Sequence, residues 1–135
     1  MVVDETRKTV TKTRISGACS QSITQQIVRI DRQDSTPIST ETEDKIVEQL
    51  KIAIPEHDVI ILSDYHIGTL TDKVISETIR LAKDYGKPVI VDGQKELQRY
   101  RGCTSMTPNL PDTQKHVGFY IKSNEDMHKA GNKLI

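Results

Sequence analysis

The chain has 135 residues, enough for one compact domain with a core and too few for two comfortable ones. Its 19 basic and 19 acidic residues cancel, which speaks against non-specific binding to nucleic acid or to an anionic membrane surface. Apolar content is 35%, with five aromatic residues and no Trp, so a lean core of Ile, Val and Leu is expected.

No apolar run reaches the roughly 18 residues needed to span a bilayer, and the opening MVVDETRKTV is too polar for a signal peptide. Thr9 to Ser16 and Ile27 to Asp31 read as two short strands of a hairpin with a long connection. Arg32 to Ser39 is turn material around Pro37. Residues 1–35 are therefore expected to form a β segment, and 36–135 an α/β core.

At Thr40 the period changes. Thr40-Glu41-Thr42-Glu43 fits a capping box, and Ile46, Val47, Leu50, Ala53 and Ile54 follow at helical spacing until Pro55. Asp58 to Asp64 (DVIILSD) has an uninterrupted apolar centre, the pattern of a strand buried on both faces. A second helix is expected after Thr71, with Val74, Ile75, Thr78, Ile79 and Ala82 on one stripe. Gly86 and Pro88 are its stop signals, and Pro88 to Asp92 reads as another buried strand. The stretch from Val59 to Val91 has the length of a βαβ crossover. Further on, Glu96 to Tyr100 suits one helical turn and Cys103 to Thr107 a short strand. Asn109 to Val117 suits a helix, and Ser123 opens a last one with Met127, Ala130 and Leu134 inward.

In an open α/β sheet, ligands bind outside the carboxyl ends of the strands. Here those ends deliver Ser63-Asp64-Tyr65 with His66, then Asp92 with Lys95, then Thr107-Pro108-Asn109 with Asp112. Such groups can hold sugar hydroxyls or order water around a nucleotide-bound Mg²⁺. Each taken alone is better read as a residue that caps the next helix or makes a turn, and the three together point to a site without naming its substrate. The Arg99-Tyr100-Arg101 cluster has two readings, a phosphate grip or solvated arginines flanking a packed Tyr. Neither G-x-G-x-x-G nor G-x-x-x-x-G-K-[ST] nor G-x-S-x-G occurs. His57, His116 and His128 have no metal-ligand pairing. Cys19 and Cys103 fit no zinc or redox spacing and read as reduced thiols of a cytoplasmic protein.

The blocks VIILSDYHIGTLT, GKPVIVD and RYRGCTSMTPNLPD, in this order, resemble the ribokinase-like (PfkB) carbohydrate kinases. Within them the likeness is to the heptose-7-phosphate kinase domains of bifunctional ADP-heptose synthases. It extends to TKTRIS and QQIVRID upstream and AGNKLI downstream, and covers the middle portion of such a domain. The resemblance implies a partial ribokinase-like parallel sheet with flanking helices, preceded by a β lid hairpin that often pairs protomers. It implies ATP-dependent phosphorylation of D-glycero-D-manno-heptose 7-phosphate for the lipopolysaccharide inner core. ATP and Mg²⁺ would sit at Asn109, Leu110, Pro111 and Asp112, with Asp92, and the sugar near Asp64, Tyr65 and Gln26.

Departures accompany it. Ile67 stands where the pattern SDYxKG has Lys, Asp92-Gly93-Gln94-Lys95 replaces DPKG, Asp112 replaces Glu, and extra residues lie around Gly17 to Thr24. The family's Gly-Asp sugar strand is expected before Met1 and its GAGD turn beyond Ile135. Without a general base, phosphoryl transfer loses about 10²–10⁴-fold, and without the anion-stabilising turn it loses more. The 135 residues alone are therefore expected to be inactive, and to self-associate through the lid or an exposed sheet edge or to take the remaining kinase parts in trans. A non-catalytic interaction or dimerisation module is the alternative, and a small nucleotide binder the third. No nucleic-acid or membrane partner is expected.

Overall fold

The computed structural model describes residues 1–17 and 24–134. The extra residues after Gly17, Cys19 among them, lie outside this description. Two antiparallel strands, β1 (Thr11–Gly17) and β2 (Gln25–Arg32), form a ribbon. Then come α1 (Thr40–Ala53), a 3₁₀ turn (Ile54–Glu56), β3 (Ile60–Asp64), α2 (Asp72–Asp84) and β4 (Val89–Gly93). A second 3₁₀ turn (Leu97–Tyr100), β5 (Ser105–Met106), α3 (Leu110–Val117) and α4 (Asn124–Leu134) complete the order. The parallel sheet runs β3-β4-β5, so the expected α/β class with a preceding hairpin is what forms.

Local chemistry sets the element ends. Thr71 caps α2 by accepting a hydrogen bond from the Val74 N–H, and Gly86 follows the helix at φ 64°. The stripe Val74, Ile75, Thr78, Ile79 and Ala82 is buried, joined by Leu81. The cap of α1 lies one residue earlier than the Thr40–Glu43 box. Ser39, in extended conformation, accepts from the Thr42 N–H at 3.2 Å. Ser39, Thr40 and Thr42 are all competent caps, and burial of Thr42 against Asp4 decides between them.

The core joins Ile54, Leu62, Ile75, Ile79, Leu81, Ala82, Val89, Val91 and Tyr100. It lies on one face of the sheet only. Leu62 pairs with Val91 and both are buried, whereas Ile61, between Ile60 and Leu62, is 66% exposed. The reading of β3 as buried on both faces is thus corrected: within this chain α2 covers one face, and Ile61 and Ser63 look outward. Met127 is likewise 60% exposed although it shares the α4 stripe with buried Ala130. It borders an open groove between α3 and α4 with Leu110, Thr113 and Leu134.

The ribbon has two chemically distinct faces. Thr13 opposes Ile30 and Ile15 opposes Val28 on one side; Lys12 opposes Asp31 and Arg14 opposes Arg29 on the other. The opposed arginines are tolerated because Asp31 pairs with Arg29 at 2.9 Å. Ile15, Val28 and Ile30 all remain exposed. No helix is long and apolar enough to cross a membrane among the described residues.

Candidate functional site

The carboxyl ends of β3, β4 and β5 lie side by side. Because side chains alternate along a strand, the register Ser63↔Asp92 and Asp64↔Gly93 sorts the polar residues by face. Ser63 and Asp92 are exposed on the uncovered face, and Asp64 points to the covered one. The structure therefore does not bring the carboxylates of Asp64 and Asp92 together.

Asp64 is buried and fully partnered. It accepts hydrogen bonds from the Tyr100 hydroxyl at 2.6 Å, the Arg99 guanidinium at 3.3 Å and the His66 N–H at 2.8 Å. Arg99 reaches on to Asp72 at 2.7 Å and to the Leu70 carbonyl at 2.7 Å. Burial, reinforced by the hydrogen bond to Asp64, pushes the Tyr100 hydroxyl well above the usual tyrosine range, so it stays a donor. The two readings of Arg99-Tyr100-Arg101 resolve in part: Tyr100 packs, but Arg99 is tied to carboxylates instead of being solvated. Gly93 permits this packing, since a Cβ there would stand 3.0 Å from the Tyr100 ring.

The network forms one wall of a cleft of ≈ 460 Å³, whose other sides include Glu43, His66, Gly68, Thr71 and Lys73. His66 and Gly68 adopt left-handed backbone conformations in the loop after β3, with φ 53° and 78°. The His66 ring meets the Gln94 carbonyl, which joins the β3 and β4 loops. Tyr65 is exposed, and the Lys12 ammonium lies 5.3 Å from its ring centre. Gln26 sits farther along the ribbon opposite Ser16. Thus Tyr65 is linked to the ribbon through Lys12 of β1, whereas Gln26 lies on β2 toward the ribbon's far end.

At β5 the chain turns into α3. Asn109 is the N-cap, its side-chain oxygen accepting from the Asp112 N–H at 2.8 Å while its amide donates to the Asp112 carboxylate at 2.8 Å. Leu110 and Pro111 fill the first turn, where Pro's missing N–H costs nothing. Asp112 faces a hollow of ≈ 380 Å³ shared with Lys95, Glu96, Lys115 and His116. Lys95 and Glu96 are both left-handed, at φ 58° and 36°. Asp92 does not line this hollow; it is exposed at the end of β4. Among the described residues no three His, Cys, Asp or Glu side chains cluster to ligate a metal directly. Cys103 is a free thiol, and burial pushes its pKa up, which leaves it a poor nucleophile.

The roles of Asp72 and Leu70 escaped sequence reasoning, because a carboxylate and a carbonyl 27 and 29 residues from Arg99 carry no local signature. The only pointer was the Asp at the first turn of α2, which reads equally as a helix-dipole residue.

Solved structures place this arrangement in the ribokinase-like α/β fold. A protein from Thermotoga maritima described as a possible 1-phosphofructokinase superposes with a TM-score of 0.61 at 18% identity, covering 79% of this chain and 35% of that one. A Staphylococcus aureus protein described as a candidate phosphofructokinase also gives 0.61, at 19% identity over 82% of this chain and 36% of that one. No family model matches the chain. Bifunctional HldE proteins are among the curated relatives it matches. The protein of Nitratiruptor sp. is 38% identical over 133 residues, 98% of this chain, and that of Desulfatibacillum aliphaticivorans 36% identical over 136 residues, 100% of it. The chain spans about a quarter, 27%, of the length of these relatives.

Proposed function

We propose that these residues are the central section of an ATP-dependent sugar kinase domain of the heptose-7-phosphate kinase kind. Its substrate would be D-glycero-D-manno-heptose 7-phosphate, in cytoplasmic ADP-heptose synthesis for lipopolysaccharide. The observation that carries this is the match to HldE proteins along the whole chain, on a ribokinase-like fold with polar residues at the strand ends. Asn109, Leu110, Pro111 and Asp112 with Asp92 would hold Mg²⁺-ATP. Bound Mg²⁺ supplies neutralisation of the phosphate charge that develops during transfer. Tyr65 and Gln26 would face the sugar, with Asp64 fixing the loop that presents Tyr65.

The 135 residues contain no Gly-Ala-Gly-Asp sequence, and no other glycine pair spaced Gly-x-Gly. By themselves they would bind nucleotide without transferring phosphate. The test is calorimetry with Mg²⁺-ATP together with a phosphotransfer assay on heptose 7-phosphate. Submillimolar ATP binding with no turnover is expected. Turnover by the chain alone overturns the inactive-section reading, and failure to bind ATP at millimolar concentration overturns the nucleotide assignment.

The exposed apolar face of the ribbon, Ile15, Val28 and Ile30, favours a second property, pairing of two copies through the lid. A non-catalytic dimerisation module rests on the same face, and dimerisation without ATP binding would favour it.

A further inference from the structure

The ribbon's base is fastened to the loop after β3 by one side chain. A single guanidinium nitrogen of Arg7, Nη2, donates to the Asp34 carbonyl at 2.9 Å and to the Ile67 carbonyl at 2.8 Å. Asp34 stands just after the ribbon returns to the body, and Ile67 lies in the middle of the 64–71 loop. The turn at Asp34 and the N-terminal segment that carries Arg7 are themselves fixed. On one side Asp34 accepts from the Thr36 N–H at 2.9 Å and the Thr36 hydroxyl at 2.7 Å, which sets the turn. On the other, Asp4 folds onto Thr6 in the same manner and accepts from the Thr42 hydroxyl of α1 at 3.1 Å.

Next to the bridge the two stretches are zipped. The Ile38 N–H donates to the Gly68 carbonyl at 3.0 Å, and a Cβ on Gly68 would fall 2.0 Å from the Thr36 oxygen. Arg7 therefore ties three segments that are far apart in sequence: the N-terminal residues on α1, the ribbon's exit, and the loop that continues from Asp64. From Asp64 the hydrogen bonds run on to Tyr100 and Arg99.

We propose that Arg7 is a positioning residue that holds the β1–β2 ribbon at a fixed angle to the sheet and couples its movement to the 64–71 loop. Lysine reproduces the bridge only in part, because its ammonium N–H groups rotate freely, whereas the two N–H groups on Nη2 are held in the guanidinium plane and aim in fixed directions. The Lys12–Tyr65 contact is a second, weaker link, since its lysine is a solvated side chain on the ribbon. This inference goes beyond the kinase reading and does not depend on it.

The test is the alignment of the ribbon relative to the body, read from backbone N–H residual dipolar couplings in the full chain at a concentration where it is monomeric. In the unaltered protein, one alignment tensor should fit residues 11–17 and 25–32 together with α1 and α2. In Arg7→Ala, the order of the ribbon relative to that tensor should fall by about a third or more. The urea midpoint of the core should stay unchanged, a separation that a merely stabilising residue would not give. Arg7→Lys should recover part of the order, and Lys12→Ala should leave it nearly intact. A ribbon that keeps the body's tensor in Arg7→Ala, or one that already needs its own tensor in the unaltered chain, overturns the proposal. Should Arg7→Ala fail to fold, Arg7→Gln, whose shorter side chain keeps its polarity but cannot reach both carbonyls, is read in the same way.

Discussion

Tyr100 and Asp64, 36 residues apart, meet inside the protein through a 2.6 Å hydrogen bond from a hydroxyl to a carboxylate that is 5% exposed. The bond closes the 3₁₀ turn after β4 onto the end of β3. Removing the hydroxyl in Tyr100→Phe should cost about 1.5–3 kcal/mol, the range for hydrogen bonds to charged groups. Asp64→Ala should cost more, about 3–5 kcal/mol, because the buried Tyr100 hydroxyl and the His66 N–H both lose their acceptor and Arg99 is left with the exposed Asp72 and Glu96. Urea unfolding of the two variants checks the order, and a larger loss in Tyr100→Phe would contradict it.

The same pair sets an alkaline limit. Burial first, then the hydrogen bond and charge of Asp64, raise the Tyr100 pKa above its ordinary value of 10.0. A raised folded-state pKa contributes stability that is complete below the unfolded value and is lost as pH climbs beyond it. Between about pH 9 and 11 the unaltered chain should lose more unfolding free energy than Tyr100→Phe does. Parallel curves for the two proteins would show that this tyrosine does not govern the limit.

Gly68 and Gly86 provide an internal comparison. Both have positive φ, but only Gly68 lies against backbone, while a Cβ on Gly86 meets nothing within 4 Å. Gly86→Ala should cost about 1–2 kcal/mol for the left-handed conformation alone. Gly68→Ala should cost about 3 kcal/mol or more, since the Thr36 carbonyl must also be pushed away. Thermal unfolding of the two variants, each against the parent, measures the gap.

Asn109 has a capping role that is visible and a nucleotide role that is proposed, and two substitutions separate them. Asn109→Ala removes the cap of α3 and should lower stability by about 1 kcal/mol. Asn109→Ser keeps a cap and should leave stability almost unchanged, yet it loses the amide that orients the Asp112 carboxylate. Calorimetry should then show Mg²⁺-ATP binding weakened by about tenfold in Asn109→Ser, one lost hydrogen bond's worth. Unchanged affinity would remove Asn109 and its contact with Asp112 from the site.

If copies pair through the ribbon, Ile30→Lys should return the chain to a monomer in sedimentation. Ile30 is already 42% exposed, so the unfolding midpoint should hardly move. An assembly that survives the lysine would have to use another surface.

Much of the β3–α2–β4 unit was legible because its signals are local. Thr71 as cap, the Val74–Ala82 stripe, Gly86 and Pro88 each constrain the backbone within a few residues. One-sided burial of β3 was not legible, since VIIL reads the same whether one face or both is covered. The Ser39 cap was hidden among neighbouring hydroxyl residues, and tertiary contact chose it. The bonds of Arg7 and Arg99 span 27 to 60 residues, and their acceptors include backbone carbonyls, which have no sequence identity. The strand-end positions of Asp64, Asp92 and Asn109 could be read from the strands, but the face each one occupies follows from register, which only pairing reveals.

That register has a consequence for how the chain tolerates change. Deleting a single residue from the Gly86–Lys87 turn would advance β4 by one place. Asp92 would then be driven beneath α2 and Val91 turned out to water. A carboxylate thrust into that apolar layer is prohibitive, so the unit is protected against frame slippage by its own alternation. Substitutions at the outward-facing positions of β4, Ile90 and Asp92, can be absorbed one at a time, but shortening the turn before it cannot.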